Sequence, residues 1–168
     1  IEHLDLVFEL DDSTFLELFA ARKILEVGIV ALAAAQASDD DLALLEAIIA
    51  RAAQAETAND FEAFLQLDMD FHQQIAVMAR NRILKRLMDA VSRLGMASRR
   101  RTAHLPAVLA QSREDHAAIL TALQVRDAMA ARLAMLNHLN HVQQKLEKAL
   151  GSKWTTAPLP ADLDSELE

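Results

Sequence analysis

Apolar residues recur every three to four positions along nearly the whole chain, and no convincing run alternates apolar and polar residues as a half-buried strand would. At about 100° per residue, Phe15, Leu18, Phe19, Leu25, Ile29 and Ala33 form one stripe of a first helix that ends near Ala37. Asp12 or Ser13 can cap it, with Asp11, Asp12 and Glu17 near its positive end. Ser38 opens a second helix, with Asp39, Asp40 and Asp41 in the first turn and Leu42, Leu45, Ile48, Ile49 and Ala52 as its apolar face. A third starts at Asn59 or Asp60 and ends near Arg80-Asn81; Phe61, Phe64, Leu65, Phe71, Ile75, Met78 and Ala79 share one arc of it. The fourth reaches about His104 and offers Ile83, Leu84, Leu87, Val91, Leu94 and Met96 for burial. Pro106 suits the first turn of a fifth helix ending near Val125, and Asp127 caps a sixth that runs to Leu150 before Gly151. The pattern predicts an all-α fold, a bundle of about six helices.

Composition narrows this further. The chain has 168 residues, 52% of them hydrophobic, enough for one domain with a sizeable core, and only three glycines and three prolines. The apolar run from Ile24 to Ala37 is too short and too closely flanked by Arg22, Lys23 and Glu26 to span a membrane, and reads as a core helix. With no cysteine, disulfides, thiolate ligands and a cysteine nucleophile are excluded, which fits a cytoplasmic location. A net charge of -8 argues against this stretch gripping nucleic acid by itself. The chain starts at Ile1 without a methionine, so residues 1–11 read as a lead-in from a preceding module. Residues 151–168, with Pro158, Pro160 and several acids, read as a flexible acidic tail, leaving 12–150 as the folded domain.

Chemistry enters where the apolar pattern is broken. Asp68 and His72 lie one turn apart at the centre of the third helix's apolar arc, where an unpaired carboxylate costs several kcal/mol. On the fifth helix His116 is centred among Leu109, Ser112, Ile119, Leu120 and Leu123. On the sixth, His138 shares a face with Ala131, Ala134, Met135 and Val142; His141 lies about 60° round from it, and spacing alone leaves either as the inward one. Each histidine alone is a satisfied core imidazole. Together, three inward imidazoles and a carboxylate from three helices form a donor set for a divalent cation that needs no thiolate. Arg22, in the middle of the first helix's inward stripe, either pairs with Glu26 at the edge of the core or grips a carboxylate ligand. The run Arg99-Arg100-Arg101 reads as a solvated face, although one of the three can turn inward.

At these residues the chain resembles the FCD domain, the effector-binding domain of FadR-type regulators in the GntR family of bacterial transcription factors. The matching pieces are Arg22-Lys23-Ile24-Leu25-Glu26, Asp68-Met69-Asp70-Phe71-His72 followed by Asn81, Glu114 through Ala122, and Ala131 through His138-Leu139. The resemblance implies an antiparallel all-α bundle whose metal is held by Asp68, His72, His116 and His138, choosing His138 over His141. It implies zinc foremost, with nickel, manganese or iron as alternatives, and a small organic acid bound by the cation and by Arg22. It also implies a homodimer and DNA contact only through an N-terminal winged helix-turn-helix that this sequence lacks. An enzyme is disfavoured, because neither HExxH nor paired Glu-x-x-His motifs occur and only Glu26 and Asp70 are near enough to act as a general base.

Overall fold

In the computed structural model, which describes residues 12–102 and 106–150, six helices follow one another: α1 (Asp12–Gln36), α2 (Asp39–Thr57), α3 (Phe61–Met78), α4 (Arg82–Thr102), α5 (Pro106–Gln124) and α6 (Ala128–Leu150). Connections this short reverse the chain at each step and produce an antiparallel bundle. Helix α1 lies along α6 and also packs on α3 and α4, while α5 bridges α6 and α2. The elements that carry Asp68, His72, His116 and His138 are thereby neighbours of α1. The expected lead-in and tail, and the end of α4 at His104, lie outside the described residues.

Local sequence sets the helix boundaries. Ser38 and Asp41 form a reciprocal capping box at α2, with Ser38 N–H donating to Asp41 Oδ2 at 2.8 Å and Asp41 N–H to Ser38 Oγ at 3.2 Å. Asp60 Oδ1 accepts from Ala63 N–H at 3.0 Å, and Asn81 Oδ1 accepts from Ile83 and Leu84 at 3.0 and 3.1 Å. Asp127 Oδ1 does the same for Met129 and Ala130, both at 2.9 Å. Three turns use a left-handed residue, Asn59 at φ 55°, Arg80 at φ 50° and Arg126 at φ 59°. The two arginines offset that strain with side-chain bonds, Arg80 to the Asp41 carboxylate and Arg126 to the Ala37 carbonyl oxygen.

The buried residues form a large cluster spread over all six helices, from Ile29 and Val30 to Met135 and Leu139, and a smaller one of Phe15, Leu18, Phe19 and Leu146. Two expectations about burial are corrected. Phe61, in the first turn of α3, is 36% exposed rather than part of the arc. On α4 Ile83 and Leu87 are 67% and 49% exposed, and Met88, at 1%, is the buried anchor. Leu84, Met88 and Val91 form the inward stripe, and Ile83 and Leu87 each sit one residue earlier, about 100° away. Among the described residues no helix is long and apolar enough to cross a membrane.

Candidate metal centre

Asp68 and His72 project from α3, His116 from α5 and His138 from α6, and one donor atom from each lies within 4.8 Å of all the others. All four are buried, with relative exposures of 8%, 2%, 3% and 1% in that order. The ring centroids of His72 are 5.4 Å from His116 and 5.2 Å from His138, and the latter two are 4.7 Å apart. Phe71 stacks on His116 at 3.8 Å with 15° between the planes, fixing that ring from behind. His141 is outside the cluster. Its side chain is 41% exposed, and its Nδ1 lies 3.0 Å from Asp115 Oδ2, the same oxygen that stands 3.5 Å from His138 Nδ1.

A charged shell surrounds the cluster. Arg22 Nε donates to Glu26 Oε1 at 2.6 Å, and Glu26 Oε2 lies 2.6 Å from His72 Nδ1. The Arg22–Glu26 pair that spacing suggested is therefore formed, yet it lies deep in the core, both residues being 2% exposed, and not at its edge. Arg99 corrects the reading of its run as a solvated face: it is buried, and its Nε donates to Asp68 Oδ2 at 2.5 Å, while Arg100 stays exposed. A helix turning about 100° per residue can send one of two adjacent arginines inward and the other to solvent. Asp68 Oδ1, left over from the Arg99 contact, faces His116 Nε2 at 3.5 Å.

The protonation states suit cation binding. Burial pushes the His116 imidazole well below its ordinary range and the neighbouring His138 adds to this; burial also lowers His72, against the pull of Glu26. Both rings are neutral near pH 7. For Glu26 and Asp68 burial alone would raise the carboxyls, but Arg22 and His72 outweigh it at Glu26, and Arg99 does so at Asp68, holding both far below the usual carboxylate range. Both nitrogens of His72, His116 Nε2 and His138 Nδ1 are buried without a hydrogen-bond partner among the described residues, although His72 Nδ1 stands 2.6 Å from Glu26 Oε2. Two atoms that each sit about 2.1 Å from one ion are at most about 4.2 Å apart, so a spread of 4.8 Å closes on a cation with shifts of a few tenths of an ångström. Three imidazoles and a carboxylate fit a borderline divalent ion.

Against this cluster lies a small cavity lined by Arg22, Asp68, Arg99, Ser112 and His138, with apolar walls that include Phe64 and Leu109. Its water-accessible volume is about 20 Å³, space for about one water. Sequence reasoning placed the four converging donors and Arg22, but missed Glu26 and Asp115 as partners of the histidines and Arg99 as the partner of Asp68. The signal for Glu26 was present, since it falls one turn after Arg22 on the same inward stripe.

Residues 17–141 match the FCD domain, so this chain belongs to the FCD family, the regulatory domain of GntR-family transcription regulators. Among curated relatives, the "Uxu operon regulator" of Haemophilus influenzae is 34% identical over 154 residues, covering 87% of this chain and 54% of the relative. The "HTH-type transcriptional regulator LutR" of Bacillus subtilis is 30% identical over 135 residues, covering 77% of this chain and 61% of LutR. The chain thus spans little more than half the length of these regulators. A solved structure, Streptococcus agalactiae GntR, superposes with a TM-score of 0.68 at 30% identity over 81% of this chain and 62% of that one. These relatives are regulators and not enzymes.

Proposed function

We propose that this domain senses a small organic acid at a divalent cation held by Asp68, His72, His116 and His138, and that binding alters the DNA affinity of a winged helix-turn-helix that precedes it in the whole regulator, in the cytoplasm. The observation that carries this is the convergence of four buried donors with bare imidazole nitrogens, beside a cavity that two arginines also line. Zinc is the preferred ion, with nickel, manganese and iron compatible with the same donors. When bound, the cation supplies an electrophilic anchor for a carboxylate. Arg22 and Arg99 supply fixed positive charge beside it. Around the cluster, the buried carboxylates of Asp68, Glu26 and Asp115 outnumber the buried guanidiniums of Arg22 and Arg99 by one. A dication reverses that balance to a single excess positive charge, which one carboxylate group neutralises.

The cavity is smaller than such an acid, so binding requires side chains to move, and a movement shared by α1, α3, α5 and α6 can change how these helices pack. Elemental analysis with native mass spectrometry of the purified domain tests the reading directly. The expected result is one divalent cation per chain, with a co-purified or added acid retained only when the metal is present; acid retention unaffected by chelation would exclude the cation as its anchor.

The pH dependence has a definite sign. Because the folded imidazoles of His72 and His116 sit below the unfolded value of about 6.5, the unfolded chain takes up more protons as pH falls. Their contribution to stability is complete above about 6.5 and is lost as pH drops through the lower folded values. The metal-free domain is expected to melt several degrees lower at pH 5.5 than at pH 7.5, and the metal-loaded domain to show a steeper fall because protons also compete for the ligands. A melting temperature flat over this interval would contradict neutral buried imidazoles.

Homodimerisation belongs to the same reading. Met129 and Leu133 on α6 are 72% and 59% exposed, apolar surface that a second copy would cover. Sedimentation at tens of micromolar is expected to show a dimer that Met129→Lys with Leu133→Glu weakens; an all-monomer profile for the unaltered domain would count against it.

A further inference from the structure

We propose that Glu26 is the positioning residue of the metal centre: its carboxylate accepts the Nδ1 proton of His72, fixing the tautomer in which Nε2 is bare and available to the cation. This rests on the metal reading above and assigns a role to a residue that ligates nothing. Glu26 Oε2 and His72 Nδ1 are 2.6 Å apart, and the second carboxylate oxygen is claimed by Arg22 at the same distance. Oε1 is thus committed to Arg22 while Oε2 faces Nδ1 at close range, not yet aligned as a hydrogen bond in this conformation, and all three groups are buried. A neutral imidazole carries its proton on one nitrogen only, so whichever group faces Nδ1 decides whether Nε2 can donate a lone pair. A carboxylate paired with Arg22 at 2.6 Å can only accept at its other oxygen, and the Nδ1–H form follows. Such a contact also orients a ring and raises its basicity toward a metal.

The geometry specifies why a glutamate stands there. Arg22 and Glu26 are one turn apart on α1, so the helix itself holds the carboxylate in place, and His72 reaches it from α3. Helix α1 contributes no ligand, yet through Glu26 it sets the state of one. A glutamine would fit the same space but offers a single oxygen. With that oxygen taken by Arg22, its amide N–H₂ faces Nδ1, which must then accept, moving the proton to Nε2 where the cation should bind.

The test uses the domain with ¹⁵N-labelled histidine, wild type and Glu26→Gln, with Arg22→Met/Glu26→Gln as a second variant that leaves no buried arginine unpaired. Long-range ¹H–¹⁵N spectra of the metal-free protein near pH 7.5 report the tautomer of His72, assigned from its loss in His72→Gln. Competition with a chromophoric chelator reports zinc affinity. Expected are an Nδ1–H His72 in wild type, its conversion to Nε2–H in Glu26→Gln, and roughly 10- to 100-fold weaker zinc binding in that variant. In the double variant the glutamine oxygen is released from Arg22 and can accept from Nδ1, so the Nδ1–H form and most of the zinc affinity are expected to return. An Nε2–H His72 in metal-free wild type overturns the role of Glu26, as does wild-type zinc affinity in folded Glu26→Gln. A wild-type domain that binds no zinc, nickel, manganese or iron overturns instead the metal reading on which this one stands.

Discussion

His116→Ala and His138→Ala domains are expected to purify without a divalent cation, while His141→Ala retains it. Structural zinc sites are worth roughly 10–16 kcal/mol in apparent binding energy, so one of four ligands carries on the order of 3 kcal/mol, or about a hundredfold in affinity. His116 and His138 contribute donors that lie within 4.8 Å of Asp68 and His72, and neither has a substitute at hand. His141 is half-exposed and spends its Nδ1 on Asp115, so its loss costs Asp115 one partner and the cation none. The alanine variants should still fold, because His116→Ala loses a ring whose Nε2 has no hydrogen-bond partner among the described residues, and His138→Ala only a 3.5 Å contact to Asp115. Elemental analysis alongside circular dichroism reads both quantities. Undiminished metal in His116→Ala and His138→Ala would eliminate the four-residue site, and metal lost from His141→Ala but kept in His138→Ala would relocate it.

Replacing Arg22 with lysine is expected to weaken organic-acid binding by roughly 1.5 to 3 kcal/mol while leaving the metal in place. Arg22 uses Nε on Glu26 and lines the cavity beside Asp68 and His138, a position from which its remaining nitrogens can meet a carboxylate bound at the cation. Lysine keeps the positive charge that Glu26 needs at i,i+4, so the support of His72 persists. It offers one ammonium where the guanidinium offers a planar fork, and cannot serve Glu26 and the acid together with the same geometry. Calorimetric titration of small mono-, di- and tricarboxylates into metal-loaded wild type and Arg22→Lys measures the difference. Equal affinities would confine Arg22 to its pairing with Glu26 and remove it from the effector site.

Much of this architecture is legible from local rules. Ser38, Asp60 and Asp127 cap helices because their side chains satisfy backbone N–H groups within three residues, an interaction that needs no knowledge of the fold. Asp68, His72 and His116 announce themselves as polar residues centred on apolar arcs, and a polar side chain there must find a partner. The choice between His138 and His141 was not available from periodicity, since both lie near the inward face of α6 and only resemblance to the FCD family separated them. The structure sends His138 to the cluster, at 1% exposure, and His141 to Asp115 at the rim.

What the sequence by itself determined is the set of helices and the inward placement of Asp68, His72 and His116, because both follow from a 3.6-residue period and from contacts between near neighbours in the chain. Only the tertiary structure decided the pairings. Arg99 reaches Asp68 across 31 positions, and Glu26 reaches His72 from a different helix; each depends on how helices rotate and slide against one another, which is set by the summed packing of the core and not by any local pattern. The same reason explains α4, whose apolar residues outnumber its inward positions, so that packing against the bundle buried Met88 and left Ile83 and Leu87 in solvent.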